Sequence, residues 1–206
     1  MKTLRLACLF RLFSASLALL AAGTLGAVTV GQPAPAFTLT DIAGTTHQLA
    51  DFKGKTVVLE WVNPECPFVV KHYDQSGNIP ATQKAATADG VVWLQINSAS
   101  AGNQGDLAPA AVAAWSAKNK VAATAYLRDS NGQVGKLYGA KTTPHLYVIN
   151  AEGVLVYNGA IDSVRSSNPA DIAKAENYVT TTLAALKAGK PVAKPTTQPY
   201  GCGVKY

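Results

Sequence analysis

Two sulfurs in this chain stand where thiol chemistry would need them. Cys66 follows the β-rich run Thr56-Val-Val-Leu-Glu-Trp-Val62 and the short loop Asn63-Pro-Glu65, and Pro67 comes directly after it. A buried strand that exits into a polar loop, followed by Cys-Pro, places the thiol at the start of a helix. Proline suits the first helical position, because its missing N–H would have had no partner there. Unpaired N–H groups and the positive end of the helix dipole at that point favour thiolate over thiol, and the thiolate is the nucleophile. The blander alternative is a small apolar cysteine packed in a core. Cys202 lies in Pro-Tyr-Gly-Cys-Gly near the end of the chain. It is either a structural staple for Cys66 or a resolving thiol, and the flanking glycines suggest a mobile, exposed presentation. Thirteen residues separate Gly189 from Cys202, a span of up to about 40 Å when extended, enough to cross a domain.

The remaining candidates are weaker. His72 stands six residues past Cys66, about 240° round a helix, so it does not share a metal with that sulfur. His145 follows Pro144 and is a candidate neighbour of the thiolate. Lys71 and Tyr73 read as a solvated helix face. Arg128, beside a turn, is a surface arginine or a donor to a bound anion. No metal and no cofactor is expected from these residues.

The elements that must position Cys66 follow from pattern. Residues 32–51 read as a hairpin or extended entry segment bending at Gly44. Residues 56–62 and 91–97 read as buried strands, with a long helical stretch between Cys66 and Gly90 that Gly77 and Pro80 interrupt. A polar loop over 98–106 leads to an alanine-rich helix over 108–118 that can bury Val112 and Trp115. A strand over 123–128 and a turn over 129–132 come next. Residues 146–149 and 154–157 form a hairpin around Asn150-Ala-Glu-Gly153. A last helix starts from Asn168 as N-cap with Pro169 first, ends before Gly189, and aligns Ile172, Val179, Leu183 and Leu186. The order predicts an α/β fold: a central mixed sheet, parallel at first and antiparallel at one edge, with helices on both faces.

The chain of 206 residues opens with Lys2, Arg5 and Arg11, an apolar stretch and small residues near Gly26 and Ala27, the layout of a secretory signal peptide. The stretch from Leu12 to Ala22 is interrupted by Ser14 and Ser16 and is short of the roughly 20 residues a membrane span needs. Cleavage after residue 27 leaves one domain over 28–188 and an extended tail over 189–206 that carries Cys202. Residues 1–27 hold three basic and no acidic residues, so the net charge of +6 falls to +3. The basic residues are scattered, so nucleic acid is not an expected partner. Cys8 leaves with the presequence, and Cys66 and Cys202 meet a periplasmic or extracellular, oxidising compartment.

The strand, loop and Cys66-Pro67 at a helix start, with Thr143-Pro144 before a later strand, resemble the thioredoxin superfamily over roughly residues 32–188. CPFVVKHY, KTTPHLYVI and PYGCGVKY together are similar to exported bacterial redoxins beside the alkyl hydroperoxide reductase and thiol-specific antioxidant family. The resemblance implies a thioredoxin-like fold and a thiol-dependent oxidoreductase. Cys66 would be the attacking cysteine, and Pro67, Thr143 and Pro144 would lie along the substrate with Pro144 as the cis-proline. Glu60, six residues before Cys66, would be the buried acid, with a raised pKa and the role of general base, the alternative being a surface glutamate on an edge strand. A thioredoxin has a second cysteine where this chain has Val69, so no dithiol shuttle runs inside the loop. A peroxiredoxin has threonine and proline where this chain has Asn63 and Leu59, so the hydroxyl that orients a peroxide is missing and Asn63 is the substitute donor. Expected partners are a peroxide or disulfide substrate and a thiol reductant, protein or small. A peroxiredoxin-type peroxidase and a non-catalytic binding module with a structural Cys66–Cys202 bond are the alternatives.

Overall fold

The computed structural model describes residues 28–206, and the signal-peptide reading of residues 1–27 lies outside the described residues. The entry segment is the expected hairpin, Thr38–Asp41 (β1) and Thr46–Gln48 (β2). Val57–Trp61 (β3) and Val92–Asn97 (β4) are buried along their whole length, as strands flanked by neighbours and covered on both faces should be. Ala125–Arg128 (β5) completes a parallel trio with β4 and β3. Beyond it come the short strand Thr142–Thr143 (β6) and the hairpin His145–Ile149 (β7) and Leu155–Gly159 (β8). The main sheet runs β2-β1-β5-β4-β3-β7-β8, so antiparallel pairs flank the parallel centre on both sides rather than one.

Alternation in β3 divides the core. Val58 and Val62 face a cluster that holds Cys66, Val69, Ile79, Trp93 and Val112. Val57, Leu59 and Trp61 face a second cluster with Leu94, Ile96, Tyr138 and Tyr147. Each fully buried aliphatic or aromatic side chain here contributes roughly 1.5–3 kcal/mol. Pro67–Val70 (α1), Asn78–Ala88 (α2), Pro109–Lys118 (α3) and Tyr178–Lys187 (α5) pack on the first face. Gln133–Tyr138 (α4) and the 3₁₀ turn Leu49–Phe52 pack on the second. The sequence pattern did not announce α4. It starts where the buried Asp129 carboxylate accepts the N–H groups of Val134 and Gly135.

Three local expectations need correction. The stretch after Cys66 is not a uniform α-helix: α1 gives way to a π-helical segment, Lys71–Gln75. The break falls at Gly77, whose φ of +64° suits glycine, while Pro80 sits inside the first turn of α2 without disturbing it. The last helix is two elements. Asn168 caps a 3₁₀ segment, Pro169–Lys174, and the side chain of Asn177 caps α5 separately. Val112 is buried as expected, whereas Trp115 is half-buried with its ring 4.7 Å from that of Tyr73. No helix among the described residues is long and apolar enough to cross a membrane.

Candidate active site

Cys66 is the N-cap of α1, with Pro67 at the first helical position. Its sulfur caps no helix N–H. It lies instead 3.0 Å from the carbonyl oxygen of Thr143, to which it donates, and is wholly shielded from solvent. Thr143 immediately precedes Pro144 across a cis peptide bond, so β6 brings the Thr143 carbonyl onto the sulfur. Pro67 is exposed beside it, while Thr143 and Pro144 are buried.

The tail is what covers Cys66. Cys202–Gly203 (β9) pairs antiparallel with β6, Cys202 opposite Thr143. The two sulfurs are 2.7 Å apart and both cysteines are free. The Cys202 N–H also points at the Cys66 sulfur, at 3.4 Å. This corrects the expectation of a mobile tail. Gly201 adopts φ +142°, and a Cβ there would run into the Thr143 carbonyl. The glycine therefore permits close strand pairing rather than freedom. Upstream, Thr197 N–H donates to Asn158 O; downstream, Ser100 N–H donates to Lys205 O and the Tyr206 hydroxyl to Ala140 O. Burial, followed by the contact with Cys66 and its charge, pushes the Cys202 thiol up to about 12.

Glu60 is fully buried in β3, so the surface reading does not hold. Its carboxylate accepts from Tyr73 Oη at 2.6 Å, Trp93 Nε1 at 2.7 Å and Gln83 Nε2 at 3.1 Å. Tyr73 Oη in turn accepts from Gln83 and Gln95. Desolvation raises the acid to about 7 against the opposing pull of these donors. Glu60 shares the Cys66 face of the sheet by its alternation with Val58 and Val62. Its hydrogen bonds lead to Tyr73, Gln83 and Trp93, and none of them reaches Cys66.

Several candidates are committed elsewhere. Asn63 accepts from Glu65 N–H and donates to Gln104 O, so its amide holds the 98–106 loop rather than the sulfur. Arg128 is paired with Asp106 at 2.7 Å. His145 lies opposite Trp61, with its ring bonded to Asn158, to the Lys141 N–H and to Tyr147. Burial lowers its pKa to about 4, and its contacts are on the far face from Cys66. Among the described residues no three His, Cys, Asp or Glu side chains gather as metal ligands.

Lys71, His72 and Tyr73 are all buried, against the reading of Lys71 and Tyr73 as a solvated face. The wider π-turn changes the angular spacing of successive side chains, so a 3.6-residue wheel misassigns them. Lys71 and His72 meet Asp162 and Tyr200, two residues that sequence reasoning passed over. The available signal was slight: an aromatic two residues before the tail cysteine, and an acid straight after Ala160-Ile161.

The chain matches the AhpC/TSA family over residues 30–158, more than half of its length. A search of curated proteins found no match. Among solved structures, a hypothetical protein from Sinorhizobium meliloti is 26% identical, with a TM-score of 0.72, covering 88% of this chain and 96% of its own. An uncharacterized conserved protein from Geobacillus kaustophilus is 27% identical, with a TM-score of 0.70, covering 86% and 92%. A putative thiol:disulfide interchange protein DsbE from Chlorobium tepidum, 23% identical over 64% of this chain and 85% of its own, shares the fold at a TM-score of 0.50. The mixed sheet, the Cys66-Pro67 helix start, the cis-Pro144 loop and the family match lead to one assignment: this chain is a thioredoxin-like redoxin and belongs to the AhpC/TSA family.

Proposed function

We propose that this protein is a thiol–disulfide oxidoreductase whose redox couple is Cys66 and Cys202. The observation that carries the reading is the pair of free sulfurs 2.7 Å apart, aligned by the pairing of Cys202 with Thr143. With the tail lifted, the Cys66 thiolate attacks one sulfur of a substrate disulfide. A mixed disulfide forms and the other substrate sulfur leaves as thiolate. Cys202 then attacks the Cys66 sulfur, the Cys66–Cys202 bond forms and the second substrate thiolate leaves. The substrate is reduced by two electrons, the protein dithiol is oxidised, and the two thiol protons pass to the departing thiolates. An external thiol reductant, protein or small, restores the dithiol. Two of the causes that raise Cys202 come from the Cys66 thiol and its charge. They vanish once Cys66 is in a mixed disulfide, so Cys202 becomes a better nucleophile at the step that needs it.

A disulfide is favoured over a peroxide by what surrounds the sulfur. Its neighbours are a carbonyl oxygen, a thiol and one backbone N–H, while Asn63 and Arg128 are bonded elsewhere. A peroxide would oxidise Cys66 to a sulfenic acid, with release of the alcohol or water, and Cys202 would condense with it to the same disulfide. Glu60 remains a candidate proton reservoir on the Cys66 face. Pro67, Thr143 and Pro144 are the surface along which an incoming chain would lie once the tail leaves. The presequence pattern supports export to the periplasm or beyond, where disulfides persist.

Turnover tests the reading. Cys66→Ser should abolish reduction of a disulfide substrate, and Cys202→Ser should stop after one turnover with the substrate trapped on Cys66. Full multiple turnover in either variant would overturn it. Faster consumption of peroxide than of disulfide by the wild-type protein would move the substrate class to peroxides.

A further inference from the structure

The tail reaches Cys66 over a buried polar receptor that the redox chemistry does not use. Tyr200, two residues before Cys202, is 4% exposed although it belongs to an otherwise largely exposed tail. Its hydroxyl donates to Asp162 Oδ1 at 2.5 Å and lies 3.1 Å from His72 Nε2. Asn78 Nδ2 donates to the other ring nitrogen of His72. The Nε2 proton of His72 therefore points at the tyrosine oxygen, and a directed chain runs from Asn78 through His72 and Tyr200 to Asp162. Phe68, on α1 two residues past Cys66, meets the Tyr200 ring edge-on at 5.8 Å, and the Lys71 ammonium sits 5.7 Å over that ring.

The receptor is incomplete without the tail. Lys71 Nζ and Asp162 Oδ2 are buried, 3.8 Å apart, and make no hydrogen bond. With Tyr200 withdrawn, Asp162 would keep only the Val164 N–H at Oδ1, and His72 Nε2 would lose the one acceptor within hydrogen-bond distance among the described residues, with Asp162 Oδ2 3.9 Å away. Unpartnered buried polar groups are costly, most of all when charged. Between Thr197, which bonds the end of β8, and Cys202, Tyr200 is the residue whose side chain is buried.

We propose that Tyr200 is a positioning residue, a latch whose docking into the Lys71–His72–Asp162 receptor holds Cys202 on Cys66 and closes Cys66 to solvent. The chemical consequence rests on the dithiol reading above, but the latch itself is tested without it. In reduced protein, Cys66 reacts with outside reagents only when the latch opens. In a mixed disulfide on Cys66, the same docking delivers Cys202 for resolution.

The test compares Cys202→Ser with Cys202→Ser/Tyr200→Phe, so that Cys66 alone reports in the described domain. Tyr200→Phe keeps the ring and removes the hydroxyl. Iodoacetamide should alkylate Cys66 about 10- to 100-fold faster in the double variant, the range expected for losing hydrogen bonds to charged partners. Rates are compared at the high-pH plateau of each pH profile, with far-ultraviolet circular dichroism and melting temperature verifying the fold. Equal rates in a folded double variant overturn the latch. If Tyr200→Phe does not fold, Asp162→Asn replaces it in the same background, with acceleration expected and equal rates again overturning the proposal. With Cys202 present, a glutathione adduct on Cys66 should resolve about 10- to 100-fold more slowly in Tyr200→Phe. A wild-type protein that never forms the Cys66–Cys202 bond would overturn the dithiol reading and leave the alkylation result to judge the latch.

Discussion

Two polar clusters are buried on either side of the same π-turn, and they are completed in different ways. Tyr73 enters the first, where Glu60, Gln83, Gln95 and Trp93 exchange hydrogen bonds. None of the fully buried side-chain nitrogens and oxygens of that set lacks a partner. Lys71 and His72 enter the second, where Lys71 Nζ and Asp162 Oδ2 have none and a tail residue provides the closing hydroxyl. Strands β3 and β4, the π-turn and α2 supply the first cluster, so it exists only with the folded core. Twenty-two residues past the start of α5 in the chain, Tyr200 of the tail supplies the lid of the second, so that cluster can report whether the tail is docked. A satisfied network acts on stability; an unsatisfied one acts on the segment that completes it.

The largest expected effect is on the first cluster. The folded protein holds the Glu60 proton up to about 7, whereas the reference value is 4.5. Between these values folding takes up a proton, so this contribution to stability is fully present below about pH 4.5 and is lost as pH rises through about 7. The loss amounts to about 3 kcal/mol. In urea unfolding, the stability of wild-type protein relative to Glu60→Gln should decline by that amount across the range, because the buried His72 and His145, whose pKa values burial lowers, contribute the same opposite slope to both proteins. An equal slope in both would remove Glu60 from the account.

A smaller effect is expected from Gly201→Ala. The alanine Cβ meets the Thr143 carbonyl and requires φ near +142°, which should cost about 1–3 kcal/mol of tail docking. Because the tail is not part of the core clusters apart from Tyr200, Cys202 and Val204, the melting temperature should fall only a few degrees while Cys66 becomes reactive. A Cys66 that stays as protected as in wild type would show that the close approach of Gly201 to β6 is not needed. The smallest effect concerns the incomplete pair. Lys71→Met with Asp162→Asn removes both charges together and should change stability by less than about 1 kcal/mol, since poorly bonded buried ion pairs add little net stability. A loss of several kcal/mol would mean that the second cluster stabilises the core as the first does.

The strands around Cys66 were legible because β3 and β4 are continuous apolar runs bounded by Gly54, Asn63-Pro64 and Gly90. The placement of Cys66 before Pro67 was equally local, and so was Thr143-Pro144 ahead of β7. What escaped depended on tertiary context. The burial of Lys71 and Tyr73 needed the π-turn, which no residue pattern announced. The partners of Lys71 and His72 are Asp162 and Tyr200, about ninety and more than a hundred residues away in the chain, and only the folded sheet brings them together. Glycines beside Cys202 suggested mobility, yet Gly201 serves to let β9 approach β6. Asn177 was the overlooked second cap that splits the final helix.

The central claim is that Cys66 and Cys202 form one redox couple. Equilibrating the protein with glutathione buffers of graded potential, quenching with acid, and mapping peptides without reduction tests it directly. The account predicts a single two-electron transition between free dithiol and a Cys66–Cys202 disulfide, complete and reversible, with the oxidised mass lower by two hydrogens. Oxidised protein in which Cys66 and Cys202 carry separate glutathione adducts, with no bond between them, would contradict it.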